Sequence, residues 1–229
     1  MRTFYINLTS RPDRRAAMEA QFERLGLAAT RVDATTPAAL SAADKSAYCD
    51  PRKFHWLTEV ELACSLSHIE ALKAIAAGSE PFGLIFEDDV VLSARLPGFL
   101  ADFDAAPPPV DLLRIEADPD PMRVDPGEPL RVGGIALRRV YSWSNGAAGY
   151  IVSQHAARRI VEARAMLSAQ TDRVLFNPFE FVAREKLVMR HTDPAFCIQA
   201  DRLEQNQDGI AISDIGKARS HRDEMERAL

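Results

Sequence analysis

Leu84-Ile85-Phe86-Glu87-Asp88-Asp89-Val90 is a short apolar run that ends in three consecutive carboxylates and then turns apolar again. Coming after the turn-forming Pro81 and Gly83, a run of this length predicts a buried strand. Such a strand delivers its last residues to the edge of a sheet, where α/β proteins place their ligands. Three adjacent acids repel one another and are costly to desolvate, so a cationic partner is expected beside them. A divalent cation held by carboxylates and substrate phosphates meets that requirement. A solvated acidic turn after a core strand is the other reading. Strand alternation sends Glu87 and Asp89 to one face and Asp88 to the other, so one ion could meet Glu87 and Asp89, or only one of them.

The segments before this run supply the rest of an α/β sheet. Thr3 to Leu8 reads as a strand, followed by a helix from the Arg11-Pro12-Asp13-Arg14-Arg15 region to a stop at Gly26, with Ser10 placed to cap it. Ala28 to Asp33 reads as a second strand, which gives the β-α-β order of a parallel sheet. Pro37 to Pro51 predicts a short helix with an irregular exit. Thr58 to Gly78 is the strongest helix, opened by Thr58 and Glu61 at the spacing of a capping box. Leu62, Leu66 and Ile69 form its apolar stripe, and Glu61, Ser65, His68 and Leu72 a second stripe beside it, suited to a cleft wall.

After the acidic run, a helix over Arg95 to Phe103, a strand over Asp111 to Ile115 and a loop over Ala117 to Pro129 are predicted. Leu130 to Val132 and Ile135 to Tyr141, joined by Gly133-Gly134, read as a hairpin. Ala147 to Val152 is a strand that leads into a helix from Ser153. Leu187 to Arg190 and Ala195 to Ile198 are weaker strands. The expectation is one domain over residues 1–200 and a polar tail over 201–229, partly helical or disordered.

Composition narrows the function. The 229 residues are 47% hydrophobic and 27% charged, ordinary for a globular protein, and carry a net charge of −5. That charge argues against nucleic acid as a partner, since no basic excess exists to neutralise phosphates. Cys49, Cys64 and Cys197 match no zinc spacing and suggest no disulfide framework. The N-terminus lacks the apolar stretch of a signal peptide and no run is long enough to cross a bilayer, so a reducing cytoplasm is the expected location.

Three further groups could carry chemistry. Arg11, Arg14 and Arg15 crowd the first turn of a helix, where cations oppose the macrodipole. Either a phosphate-bearing ligand or ion pairs with Glu19 or Asp33 would account for them. Tyr141 to Tyr150 interleaves aromatics with small residues, among them Gly146, and suits either close approach of a sugar-like ligand or a tight turn before a core strand. Asp172, His191, Asp193 and Gln199 are polar residues near predicted element ends.

Taken together and in this order, the segments resemble glycosyltransferase family 25, the bacterial lipopolysaccharide and lipooligosaccharide sugar transferases, related to collagen galactosyltransferases. The resemblance rests on Tyr5 to Arg15, Glu61 to His68, Leu84 to Val90, Gly146 to Ser153, Thr171 to Phe176 and Pro194 to Gln199. The sequence departs from the family at Val60 and Ala63, which stand where glycines are usual, and at Thr171 and Arg173. The resemblance implies a GT-A-like, Rossmann-type nucleotide-sugar-binding α/β fold, with a mostly parallel central sheet flanked by helices. It also implies metal-assisted, inverting transfer of galactose or glucose from a UDP-sugar, with manganese or magnesium as cofactor. The acceptor would be a glycan or lipid-linked saccharide, met in the cytoplasm or peripherally at the inner face of the membrane.

Carried onto this chain, the metal ligands would be Asp89, Glu87 and His191. Donor contacts would come from Asn7, Leu8, Arg11, Arg14, Ser67, Glu87, Asp88, Gly146 and Gln199. The general base would be Asp172, with His68 and Glu61 behind it. A metal-dependent nucleotide-sugar hydrolase and a catalytically silent nucleotide-sugar-binding protein are the competing readings.

Overall fold

The computed structural model of the chain describes residues 1–117 and 121–202; the predicted tail beyond Arg202 lies outside the described residues. The chain opens in the predicted β-α-β order. Strand β1 (Arg2–Asn7) leads into helix α1 (Pro12–Leu25), and β2 (Ala29–Asp33) returns parallel to β1. Helix α1 stops where Gly26 adopts a φ of 64°, its amide and that of Leu27 closing on the Glu23 and Phe22 carbonyls. Its start departs from expectation. Ser10 does not cap it; Arg11 holds the cap position without a side-chain bond, and Pro12, which has no N–H to satisfy, begins the helix.

A single turn over Pro37–Ala39 and helix α2 (Ala42–Tyr48), capped by Ser41, precede α3 (Glu59–Ala76). The predicted capping box is present: the Glu61 amide donates to Thr58 Oγ1 and the Thr58 amide donates to Glu61 Oε2. Strand β3 (Phe82–Glu87) ends on the first of the acids, and α4 (Leu96–Ala105) and β5 (Leu112–Arg114) follow. Strands β6 (Leu130–Val132) and β7 (Ile135–Arg138) form the predicted hairpin, with Gly133 and Gly134 at φ 53° and 81°, values that other residues rarely adopt. Strand β8 (Gly149–Ser153) then runs into α5 (Gln154–Ala163), capped by the Ser153 hydroxyl.

The main sheet has eight strands in the order β2-β1-β3-β8-β5-β9-β7-β6, where β9 is Met189–Asp193. Strands β2, β1, β3, β5, β9 and β6 point one way; β8 and β7 run against them. Six of the eight strands thus share one direction in a helix-flanked α/β sheet, with β8 inserted antiparallel between β3 and β5. Alternation along the strands sorts the core into two layers. Phe4, Ile6, Ile85 and Val152 pack with Leu62 and Leu72 of α3 and Ile160 of α5. Tyr5, Leu84, Phe86 and Ile151 face the other way, onto Met18 and Phe22 of α1 and Phe99 and Phe103 of α4.

Three short elements have no counterpart in the sequence reading, and the strand expected over Ala195 to Ile198 lies at Cys197–Gln199. Helices α6 (Thr171–Phe176) and α7 (Phe181–Arg184) are too brief for a periodic signal. A small two-stranded ribbon joins β4 (Val90–Leu92) to β10 (Cys197–Gln199) and ties the acidic turn to the end of the described chain.

Candidate active site

A cleft of about 330 Å³ opens where β1 and β3 end. One wall is Leu8 and Arg14, another is the Ala34, Thr35 and Pro37 segment after β2, and α3 contributes Val60, Ala63, Cys64, Ser67 and His68. Glu87, Asp88 and Asp89 line it too. The strand ends thus carry their carboxylates into a concave site, as expected for an open α/β sheet. Val60 and Ala63 both face this space, so side chains stand in the cleft where the family's glycines would leave it wider.

The acids are arranged differently from strand alternation. Strand β3 ends at Glu87, and Asp88 and Asp89 form the turn into β4, so the two-residue period stops one residue into the cluster. The cationic partner the acids require is part of the chain. Arg14 Nη1 donates to Asp88 Oδ1 at 3.1 Å and lies 3.5 Å from Asp89 Oδ2, with all three side chains at most 10% exposed. Asn7 Nδ2 donates to Asp88 Oδ2 at 2.6 Å and Arg31 Nε to Asn7 Oδ1 at 3.1 Å, so Asn7 steers the aspartate from behind. Burial pushes the Asp88 carboxyl up, against the pull of Asn7 and Arg14. Burial and the neighbouring Glu87 charge push Asp89 up to about 7, partly offset by Arg14. Asp89 Oδ1 is buried and accepts no hydrogen bond. A lone-pair donor in that state fits a cation, so a divalent ion there is chemically reasonable.

The polar stripe of α3 is buried throughout. Glu61 is engaged in the capping box and does not line the cleft. Ser65 Oγ and Thr171 Oγ1 lie 3.1 Å apart and share a hydrogen bond. His68 is fully buried between two elements, its Nδ1 at 3.0 Å from the Tyr150 hydroxyl and its Nε2 at 3.2 Å from Glu87 Oε1. Of the three base candidates, His68 is the one that lines the cleft.

Other predicted residues are engaged within the chain. Arg11 pairs with Asp13 at 2.7 Å, and Arg15 pairs with Glu19 as the ion-pair reading anticipated. Ser67 Oγ donates to the Ala63 carbonyl and accepts from the Thr35 amide, which pins the loop after β2 to α3. Asp172 accepts from the amides of Gly146 and Arg173, and so fixes the Gly146 turn, where φ is 102°. His191 is buried on β9 with Phe176 edge-on at 6.0 Å, and both ring nitrogens lack hydrogen bonds. Burial and the adjacent Arg114 charge hold its pKa down near 3. Gln199 pairs through β10 with Val90. Asp172, His191 and Gln199 do not line the cleft, and His191 is not brought to Asp89 and Glu87.

Sequence reasoning missed two parts of the neighbourhood. Arg114 lies 3.2 Å from Glu116, with both side chains fully buried, and Glu116 accepts from the Ala148 amide. Burial pushes Glu116 up to about 6 despite Arg114. The other is the contact of His68 with Tyr150, the last residue of the Tyr141 to Tyr150 segment; the contact spans 82 residues of sequence and leaves no local signal.

The fold is a helix-flanked α/β sheet with an acid-lined cleft at the carboxyl ends of β1 and β3. Residues 1–117 match the model of glycosyltransferase family 25 (LPS biosynthesis protein), and the chain belongs to that family. It is 29% identical to the lacto-N-neotetraose biosynthesis glycosyltransferase LgtE of Neisseria meningitidis serogroup B, over 100% of this chain and 85% of that protein. It is 29% identical to LgtB of Neisseria gonorrhoeae, over 87% of this chain and 74% of that protein. Procollagen galactosyltransferase 1-A of Xenopus laevis is 30% identical over 72% of this chain, but over only 28% of its own length.

Proposed function

We propose that this glycosyltransferase moves a hexose, galactose or glucose, from a UDP-sugar to a glycan or lipooligosaccharide acceptor with inversion. The observation that carries the reading is the cleft itself, where the family's acidic segment, Glu87 to Asp89, meets the strand-one exit and α3. Its relatives are named for lacto-N-neotetraose biosynthesis and procollagen galactosylation, which favours a hexose.

The residues divide the work by position. Leu8, Thr35 and Pro37 give a mostly apolar wall suited to a nucleobase and ribose. Asn7 and Arg14 hold the acidic turn in one place, so the carboxylates need no reorganisation when a donor arrives. Asp89, through its unpartnered Oδ1, and Glu87 would hold Mn²⁺ or Mg²⁺. Such an ion, when bound, supplies positive charge for a departing diphosphate. Val60 and Ala63 restrict the space beside the donor and are the residues through which this chain would differ in acceptor from glycine-bearing relatives. Among the described residues no helix is long and apolar enough to cross a membrane, which is compatible with a peripheral approach to a lipid-linked acceptor.

The test is a screen of nucleotide sugars for thermal stabilisation in Mn²⁺, since a ligand that binds only the native state raises its apparent stability. UDP-hexoses should stabilise the chain. Release of UDP with no acceptor product would favour the hydrolase, and binding without turnover the silent module.

A further inference from the structure

Cys64, His68 and Glu87 each offer one ligand atom, and the three atoms lie within 4.8 Å of one another. We propose that these residues form a second cation site in the cleft, one selective for a thiophilic divalent ion of the Zn²⁺ class. The inference stands on ligand chemistry; it shares Glu87 with the cation reading above, and otherwise does not depend on the donor or on the transfer reaction.

The placement follows from the fold. Cys64 and His68 are four residues apart on α3, so the helix sets their side chains one above the other on the same face. Glu87 reaches them from the last position of β3. His68 Nε2 and Glu87 Oε1 are 3.2 Å apart. Two tetrahedral ligands at ~2.0–2.1 Å from a zinc ion are separated by roughly 3.3 Å, so this pair already has the required span. The Cys64 sulfur lies within 4.8 Å of both, and would close to roughly 3.5 Å from the nitrogen in a tetrahedral set.

The surroundings resemble a built site. Metal-ligating histidines donate their other ring N–H to a fixed acceptor, which orients the ring. Here Nδ1 lies 3.0 Å from the hydroxyl of the fully buried Tyr150, which can serve as that acceptor. All three ligands line the cleft, so three protein atoms leave the fourth position facing its space, the pattern of open rather than purely structural zinc sites. A sulfur, a nitrogen and one oxygen favour zinc or cobalt over magnesium or manganese, which the oxygen-only Asp89 suits better. Coordination would expel the Cys64 thiol proton as the metal–sulfur bond forms, so binding releases one proton from that group. With Nε2 on an ion, His68 is no longer a proton acceptor, which removes the base candidate that borders the cleft.

Cobalt titration of the full chain under reducing, chelator-free conditions reads the site directly. One equivalent of Co²⁺ should give a near-ultraviolet thiolate-to-cobalt absorption that Zn²⁺ abolishes. Cys64→Ser should lose the band, while Cys49→Ser and Asp89→Asn keep it. Tyr150→Phe should weaken the metal roughly 10- to 100-fold, as loss of an orienting partner does. No thiolate band in the wild-type chain overturns the proposal, whether or not any variant folds. So does a band that survives in Cys64→Ser with native far-ultraviolet dichroism, or one lost in Asp89→Asn.

Discussion

Arg14 donates from Nη1 to Asp88 at 3.1 Å, and the same atom lies 3.5 Å from Asp89, so one guanidinium from the first turn of α1 answers two adjacent buried acids. An arginine there opposes the helix dipole, and its position is explained by the acids across the sheet edge. The pair also joins β1, α1 and β3 at the point where the cleft begins.

Removing Arg14 leaves two buried carboxylates without their cation. Arg14→Ala is expected to lower unfolding free energy by about 3 kcal/mol or more, the usual cost of breaking a buried pair from one side. Denaturant titration measures it. Arg14→Met combined with Asp88→Asn should recover part of that loss, because one of the two carboxylates left without a cation is then gone while Asp89 remains.

Asp89 separates metal-dependent binding from folding. Asp89→Ala is expected to weaken UDP binding in Mn²⁺ at least about tenfold, or 1.4 kcal/mol, while leaving metal-free stability unchanged or improved. Improvement follows because burial and Glu87 already disfavour the ionised form. Calorimetric titration of UDP with and without Mn²⁺ reads both arms; unchanged metal-dependent affinity would remove Asp89 as a ligand.

His191 makes the fold acid-sensitive. Its folded pKa is depressed to about 3 from an ordinary 6.5, so below pH 6.5 the unfolded chain binds a proton that the native chain refuses. Stability contributed by neutral His191 is therefore present above pH 6.5 and is lost as pH falls towards 3, at on the order of 1 kcal/mol per pH unit. His191→Gln should flatten that part of the stability–pH curve. An unchanged slope between pH 6 and 4 would show that other groups govern acid unfolding.

Glu61 is expected to act on the helix rather than on the reaction. Gln serves equally in a capping box, so Glu61→Gln should keep stability within ~0.5 kcal/mol and transfer activity within a few-fold, whereas Glu61→Ala costs about 1 kcal/mol. A collapse of turnover in Glu61→Gln with native stability would restore it as a base candidate.

Much of the fold could be read from local signals: the β-α-β opening, the Thr58–Glu61 box, the Gly133-Gly134 hairpin and the acid-ended strand all depend on neighbouring residues. Ser10 failed because Pro12 already satisfies the helix start without a side-chain acceptor. The acidic turn was misread at Asp88 and Asp89 because the strand stops at Glu87, a fact set by pairing of Val90–Leu92 with residues 197–199 across the chain. The sequence shows that Arg14 needs an anionic partner, but that the partner is Asp88 rather than a ligand phosphate, Glu19 or Asp33 lies in tertiary contact. Asp172 and His191 looked like site residues because polar residues near element ends often are; the fold instead buries one on backbone amides and the other against Phe176.

Hexose transfer from this cleft can be measured on the purified chain. Incubating the chain with labelled UDP-galactose or UDP-glucose, Mn²⁺ and a truncated lipooligosaccharide acceptor, then isolating the saccharide, tests it directly. The expected outcome is a labelled acceptor extended by one β-linked hexose, with product formation lost in Asp89→Ala. Stoichiometric release of free hexose with the acceptor unmodified, across both donors and a range of saccharide acceptors, would contradict it.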